Sequence, residues 1–575
     1  MSPLVGVVGK RGRFPVLEPL FERGPQVNLA RGSIRVREGE MVLAAERPGG
    51  AKVTEVLGAP ENARDVVGAL LLARGLERGF APPLEGEARD AAEQAQRGAS
   101  KRRDLRALDT FTVDPATARD FDDAVSAQPE GDGVRLWIHI ADVAAHVRPG
   151  SGLDTEALRR ANSTYVPGAV EPMLPAALSA GACSLAPDVD RLAVTAEIAL
   201  GQGGETRSAS FYRSRIRSDH RLSYDQLDEF FAGRARPPEV IAAPLELARR
   251  AAAALRERRR GSALEISTAE PEFRFDADGN VLGAQAVEQT EAHGLIEQLM
   301  ILTNQRVADL CERRRAATLY RVHEDPDPGR IAVLFEQLAA LDLPTPPLAD
   351  PESISRAQAA ELAAQASHLV SREAERRGHG HAAYTSLVLR SLKPAVYSDR
   401  NLGHAGLASP AYCHFTSPIR RYPDLIAHRA LLSLIGAGEH EPERAATRAA
   451  GVWCSERERE SIKIERDADD VCAAFLLERE LFEAGWSQEF EGEVSGVIGA
   501  GAFVGFGGQL GDVYEGFLPA RRMRGERFDL NSTETALVGG RSGRRVRIGD
   551  PVHVRVDGVE AARGRVDLVP AGAQP

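Results

Sequence analysis

The chain has 575 residues, 43% hydrophobic and 27% charged, enough apolar material for several cores and too much for a disordered protein. A net charge of -11 and a pI near 5.8 argue, at the scale of the whole chain, against a nucleic-acid binder, whose footprint is usually basic. Of the 72 basic residues only five are lysine; arginine is the better bidentate phosphate ligand, although a GC-rich genome also enriches arginine and alanine. Five cysteines, at 183, 311, 413, 454 and 472, are odd in number and form no C-x-x-C pair, which excludes a disulfide framework and a thiolate zinc site and favours the cytoplasm. The N-terminal MSPLVGVVGKRGRF lacks the apolar run of a secretory signal, and no stretch reaches about 18 uninterrupted apolar residues. A membrane partner is not expected.

In chain order, residues 1–60 alternate short apolar segments with Gly, Pro and charged turns (LVGVVGK, FPVLEP, QVNLARGSIRV, EMVLAAE, AKVTEVLG), the pattern of a small β-barrel. This stretch carries nine Lys/Arg against six Asp/Glu and is locally basic. Residues 61–104 read as a helix over ARDVVGALLLARGLERGF followed by a polar linker. The body, 105–484, mixes strands (RLWIHIADVAAHV, SALEIS, PEFRF) with Ala-rich helices expected at 239–260, 291–315 and 331–377, an α+β pattern. Residues 489–572 return to strands, with Gly501, Gly505, Gly507 and Gly508 suited to a curved barrel and two basic clusters, RRMRGER and RSGRRVR. The expected layout is α+β: barrel, helical linker, large body, barrel.

The segment TVDPATARDFDDAVS concentrates Asp114, Asp120, Asp122 and Asp123. Carboxylates that close repel one another, and hard oxygen donors at this density suit magnesium or manganese, ions that clamp the attacking and leaving oxygens in phosphodiester cleavage. A calcium loop of the EF-hand type is excluded, because its required Gly and closing Glu are missing. Apolar flanks (Phe111, Val113, Phe121, Ala124, Val125) place the cluster on or between buried strands. Taken alone, the pattern leaves a solvated acidic turn and a cation site both open.

This segment resembles the metal-binding motif of the ribonuclease II/ribonuclease R family of exoribonucleases. Further blocks resemble the family in its order: WIHIADVAAHVRPGSGLD (137–154), NSTYVPGAVEPMLPAALSAGACSLAPDVDRLA (162–193), AHGLIEQLMILTNQ (292–305), LYRVHEDPDP (319–328), LRSLKPAVYSDRNLGHAGLASPAYCHFTSPIRRYPDLIAHR (389–429) and IERDADD (464–470). The resemblance implies a ribonuclease II-type catalytic domain over 105–484, flanked by OB-fold RNA-binding barrels at 1–60 (cold-shock-like) and 489–572. The activity it implies is magnesium-dependent, processive 3′→5′ hydrolysis of single-stranded RNA with a free 3′ end. Nucleoside 5′-monophosphates would be released by a monomer.

The resemblance also implies roles for individual residues. Asp114, Asp120 and Asp123 fall at positions that bind or hold the metal ions, and Asp122 at the position most tied to catalysis, through metal or attacking water. Arg420 matches an arginine near the scissile phosphate, where a planar fork stabilises charge on non-bridging oxygens; Arg421 beside it reads as a structural ion pair. Glu465 matches a glutamate near the active site. Tyr224 matches a tyrosine that packs at the terminal nucleotide and controls end-product length, and Tyr165 one of the aromatic clamp on which bases stack. Glu297 matches a position contacting the terminal ribose, where a carboxylate accepting from the 2′-OH selects RNA over DNA. Two departures stand out: Ile266 replaces an aromatic of the clamp, and the N-terminal region has room for one barrel where larger members carry two. A catalytically impaired RNA-binding regulator is the alternative, disfavoured by the intact aspartate set. A third reading, an OB-fold RNA-binding protein with a merely structural body, leaves that set unexplained.

Overall fold

The computed structural model describes residues 4–572 apart from 23, 31–33, 77, 98–100, 261–263, 265–269, 288, 348–353, 508–512 and 524. Most of SALEIS, Ile266 included, together with Gly508 and Arg524, therefore lies outside the described residues.

The N-terminal alternation forms β1 (Leu4–Arg11), β2 (Phe14–Pro19), β3 (Val27–Asn28), β4 (Met41–Arg47) and β5 (Gly50–Gly58). The sheet order is β3-β2-β1-β4-β5, and a parallel bridge from Leu29 to Ala51 ties the two edges together. Closure needs a glycine at its tightest point: a Cβ on Gly50 would collide with the Asn28 carbonyl. Val8, Leu17, Val42, Ala44 and Ala51 fill the interior.

Residues 61–104, read from sequence as one helix and a linker, contain two packed helices, α1 (Ala63–Ala73) and α2 (Pro82–Arg97). The polar run taken for a linker is amphipathic: its Ala88 is fully buried in the central core while its charges face out.

A seven-stranded sheet organises the body: β6 (Arg103–Asp104), β7 (Phe111–Asp114), β8 (Asp123–Glu130), β9 (Gly133–Ala141), β12 (Asp190–Leu200), β13 (Thr206–Arg217) and β14 (His220–Ser223). Their order is β14-β7-β8-β9-β12-β13-β6. Leu192 through Leu200 are all buried, as expected for a strand in mid-sheet that is covered on both faces. Between β9 and β12 lie α3 (Gly152–Arg160), the hairpin β10 (Thr164–Val166) and β11 (Ala169–Glu171), and a π-helical turn at Ala177–Ala182. After β14 come α4 (Tyr224–Phe231) and α5 (Glu239–Arg259), then the hairpin β15 (Glu270–Phe275) and β16 (Val281–Val287), and α6 (Glu291–Arg314). Helix α5 packs on β8, and α6 packs on α4 and α5.

The helix expected at 331–377 is broken. It forms α7 (Pro328–Ala340) and α8 (Arg356–Arg377), flanked by β17 (Tyr320–Val322) before and α9 (His381–Ser391) and β18 (Val396–Ser398) after. Asp342 takes a left-handed φ of 55°, and Pro344, Pro346 and Pro347 follow, which cannot continue an α-helix without losing backbone donors. Alanine periodicity concealed the break. Next come α10 (Tyr422–Leu434) and α11 (Arg444–Ala484); at 41 residues α11 spans about 60 Å.

The C-terminal strands β19 (Glu489–Ile498), β20 (Gly501–Phe506), β21 (Tyr514–Pro519), β25 (Pro551–Glu560) and β26 (Arg565–Pro570) close a barrel. A small sheet of β22 (Phe528–Leu530), β23 (Ala536–Gly539) and β24 (Arg545–Arg547) is inserted between β21 and β25. The molecule is thus a mixed α and β structure, as the sequence indicates.

Candidate active site

Asp114 closes β7 and Asp123 opens β8, and Phe111 pairs with Val125 across these antiparallel neighbours. Both carboxylates therefore sit at one end of the sheet. The loop between them is held at both ends. The Ser184 hydroxyl accepts from the Phe121 N–H (3.0 Å) and donates to the Arg119 carbonyl (2.8 Å), and the Ala141 N–H donates to the Asp122 carbonyl at 2.9 Å. Arg221 on β14 donates to the carbonyls of Pro115 (2.7 Å) and Ala116 (2.8 Å).

A second segment, Ser417–Tyr422, lies against this loop. Asp122 Oδ1 accepts from the Ile419 N–H at 2.8 Å, and Asp122 Oδ2 stands 3.6 Å from Arg420 Nε. The segment is braced by buried Asp424 in the first turn of α10, whose carboxylate accepts from the Ser417 N–H (2.8 Å) and from both arms of Arg421 (2.9 and 2.8 Å). Arg421 is the structural ion pair expected of it. Arg420 carries no such clasp and keeps its side chain 45% exposed.

The third strip is β10 and what precedes it. The Tyr422 N–H donates to the Ala161 carbonyl (2.8 Å) and the Ser163 N–H to that of Arg420 (2.9 Å). Glu465 on α11 accepts from the Tyr165 N–H at 2.9 Å, and the Tyr165 hydroxyl donates to Asp120 at 3.4 Å. On the opposite side, the parallel pairing of Ser223 with Asp114 brings Tyr224, the first residue of α4, next to the acidic cluster.

These strips enclose a cavity of about 690 Å³ lined by Asp114, Asp120, Asp122, Asp123, Tyr165, Tyr224, Glu297 and Arg420. Eight of the nine residues singled out by sequence thus share one cavity. Glu465 lines an adjoining cavity of about 240 Å³, on the other side of Tyr165 and Arg420. Sequence reasoning missed Ser184, Arg221 and the Ile419 N–H, whose roles depend on backbone atoms. It also missed Asp424, which the i,i+3 spacing from Arg421 does signal.

Burial raises three carboxyls of the cavity. Burial pushes Asp114 up to about 8, with Asp123 adding to the rise and Arg221 opposing it; burial pushes Asp123 up to about 7 against the pull of Arg420. Asp122 is also raised, mainly by burial, with Arg420 and the Ile419 N–H opposing. One oxygen of Asp114 and one of Asp123 are buried without a hydrogen-bond partner, an arrangement that costs free energy unless a cation or proton satisfies them. Among the described residues no three His, Cys, Asp or Glu side chains close into a cage that would hold an ion unaided. Magnesium does not require one, since it keeps several waters and takes one or two carboxylates together with substrate phosphates. The donor set therefore fits a hard divalent cation.

The RNB domain family matches residues 102–437, and the S1 RNA binding domain matches 487–569. The chain belongs to the ribonuclease R family. It is 34% identical over 503 residues to "Ribonuclease R" of Vibrio cholerae, an alignment covering 84% of this chain and 58% of that one. With the ribonuclease R of Aquifex aeolicus it shares 32% identity over 551 residues, covering 93% and 75%. The chain thus spans little more than half the length of the Vibrio relative. Among solved structures, the Mycoplasma genitalium RNase R in complex with ribose methylated single-stranded RNA superposes with a TM-score of 0.85 at 25% identity, covering 99% of this chain and 89% of that one.

Proposed function

We propose that this chain is a divalent-cation-dependent 3′→5′ exoribonuclease that shortens single-stranded RNA from a free 3′ end and releases nucleoside 5′-monophosphates processively. The observation carrying this reading is the half-buried pair Asp114 and Asp123, each with one buried, unpartnered oxygen, facing Arg420 across one cavity. Magnesium is the proposed ion, with manganese as its substitute; Asp114 and Asp123 would hold it, with Asp120 at their side. When bound, the cation supplies charge neutralisation at the phosphate and acidifies water.

The other residues bind and orient. Arg420 is exposed enough to donate to the non-bridging oxygens of the terminal phosphodiester, where a fixed guanidinium stabilises developing charge. Asp122, fixed by the Ile419 N–H, keeps that guanidinium aimed. Tyr165, with its backbone held by Glu465, offers a face on which a base can stack in any sequence. Tyr224 packs at the terminal nucleotide, and the exposed carboxylate of Glu297 on α6 accepts from a ribose 2′-OH.

Residues 1–60 and 489–572 are proposed as OB-fold barrels that deliver RNA to the body at 105–484. Exposed Arg521, Arg522, Arg541, Arg544 and Arg545 beside the second barrel give an acidic chain a locally basic surface. All site residues come from one chain, so a monomer suffices. The cysteines, all buried and free, suit the cytoplasm, and among the described residues no helix is long and apolar enough to cross a membrane.

The test is a gel assay with 5′-labelled single-stranded, 3′-extended and blunt duplex RNA, with and without magnesium. Loss of full-length single-stranded and 3′-extended RNA to a short end product with few intermediates, together with free 5′-monophosphates, is expected only with the cation, and Asp123→Asn should bind RNA without shortening it. RNA bound but left intact under every cation would replace this reading with that of an RNA-binding regulator.

A further inference from the structure

Tyr224 begins α4, and its backbone is fixed by Ser223, whose hydroxyl accepts from the Gln226 N–H at 3.2 Å while Gln226 Oε1 accepts from the Ser223 N–H at 3.0 Å. A cap fixes the backbone and leaves the ring to its rotamers. The ring is met by His293: the two ring centroids are 4.0 Å apart and the planes 11° from parallel. His293 stands in the first turn of α6, with Nδ1 2.9 Å from the Thr290 hydroxyl, and Asp228 on α4 accepts from the Ala292 N–H at 3.2 Å, locking the two helices together. Tyr224 lines the large cavity whereas His293 does not, so the imidazole supports the phenol without facing the cavity. One helical turn further along α6 is Glu297, on the same face as His293.

We infer that His293 is a positioning residue, a stacking platform that sets the angle of the Tyr224 ring and makes Tyr224 and Glu297 present to the terminal nucleotide as one unit. The inference rests on the exoribonuclease reading for its substrate and on the stack itself for its geometry. Half-burial keeps the imidazole below its ordinary pKa, with Asp228 and Asp225 opposing, and the flat ring lies against the phenol face over its whole area. A stacked ring pair of this kind is worth about three- to tenfold in an equilibrium that depends on it.

The variants His293→Phe and His293→Gln separate the two things His293 does. Phenylalanine keeps the stack and loses the hydrogen bond to Thr290; glutamine keeps the hydrogen bond and loses the stack. Each is compared with Tyr224→Ala and with the double variant His293→Gln/Tyr224→Ala. The readouts are the KM for single-stranded RNA ending in a ribo- or a 2′-deoxynucleotide, the RNA dissociation constant in EDTA, and the melting temperature. His293→Gln should weaken RNA binding and raise KM about three- to tenfold, narrowing the ribo/deoxy ratio with little change in kcat. His293→Phe should match the parent chain. The double variant should be no worse than Tyr224→Ala alone, the signature of one residue acting through another. The inference is overturned if His293→Gln multiplies the effect of Tyr224→Ala, or if His293→Phe behaves like His293→Gln while melting normally. A parent chain that binds RNA but never shortens it sinks the exoribonuclease reading alone, because the EDTA binding cycle still decides the role of His293.

Discussion

At Asp114 and Asp123 burial outweighs the arginines that face them, and this fixes how the molecule responds to pH. A carboxyl held above its ordinary value of 3.8, at about 8 for Asp114 and about 7 for Asp123, stays protonated in the folded chain where the unfolded chain is ionised. Its contribution to stability is complete below the unfolded value and is lost as pH rises through the folded one. In cation-free buffer the melting temperature should therefore fall from about pH 5 to about pH 8. Magnesium should restore it at the upper end, because a cation takes the deprotonated ligands. Asp114→Asn/Asp123→Asn, which imitates the protonated pair, should make the fall shallower, leaving the share of raised Asp122, and abolish the magnesium response. An unchanged magnesium response in that variant would show that the two carboxyls are not the cation's holders. The positions of these aspartates were legible in the sequence, but the orphaned oxygens were not. An acidic run reports how close charges are along the chain, and desolvation depends on every atom packed around them.

The segment from Ser417 into α10 works as one element, and Asp424 is its fulcrum. Its carboxylate is fully buried and serves both the Ser417 N–H and the Arg421 guanidinium. Asp424→Ala would leave the half-buried Arg421 guanidinium without its counter-charge, and breaking such a pair costs up to about 3–5 kcal/mol. Urea unfolding should show that loss, together with a fall in RNA hydrolysis, since Arg420 hangs from the same turn. A variant that melts like the parent and hydrolyses RNA normally would remove Asp424 from the support of the site. The Arg-x-x-Asp spacing at a helix start could be read in advance. That Ile419, on the same turn, donates to Asp122 from 297 positions away could not. One dominant periodicity makes α5 and α6 legible in the sequence; the break between α7 and α8 is hidden because alanine carries helical propensity on both sides of the prolines that stop α7.

Across the whole molecule α11 is the spine. Its Ala450 and Cys454 pack into the core of the central sheet, whereas Ile464, Ala468, Cys472 and Leu477 belong to a second core shared with α1, α7, α8, α9 and both barrels. Glu465 sits where one core gives way to the other, within reach of the Tyr165 backbone. The second barrel is fastened to this helix: the Tyr514 hydroxyl donates to Glu480 at 2.9 Å, and at Gly564 (φ 61°) a Cβ would collide with the backbone of Asp470 and Val471. A chain ended after Gly485 should therefore unfold earlier on heating and bind a hydrophobic dye, since buried Val471, against which Gly564 packs, loses that cover. An undiminished melting temperature would mean that the barrel is an independent appendage.

The sequence alone determined the chemistry on offer: which carboxylates cluster, which arginines and tyrosines accompany them, and that strands and helices mix with barrels at the ends. Residue types and short-range spacing carry that information because propensity and periodicity are local. Tertiary structure alone decided which carboxyl oxygens are left unpartnered, that Asp122 is committed to the Ile419 turn, and that Glu465 holds a backbone rather than facing the acidic cluster. It also stacked Tyr224 on His293, 69 residues further along the chain. Burial, orphaned polar atoms and ring contacts are sums over neighbours that only folding brings within reach. For the same reason a net charge of -11 described the chain correctly and said little about the cavity that would meet RNA.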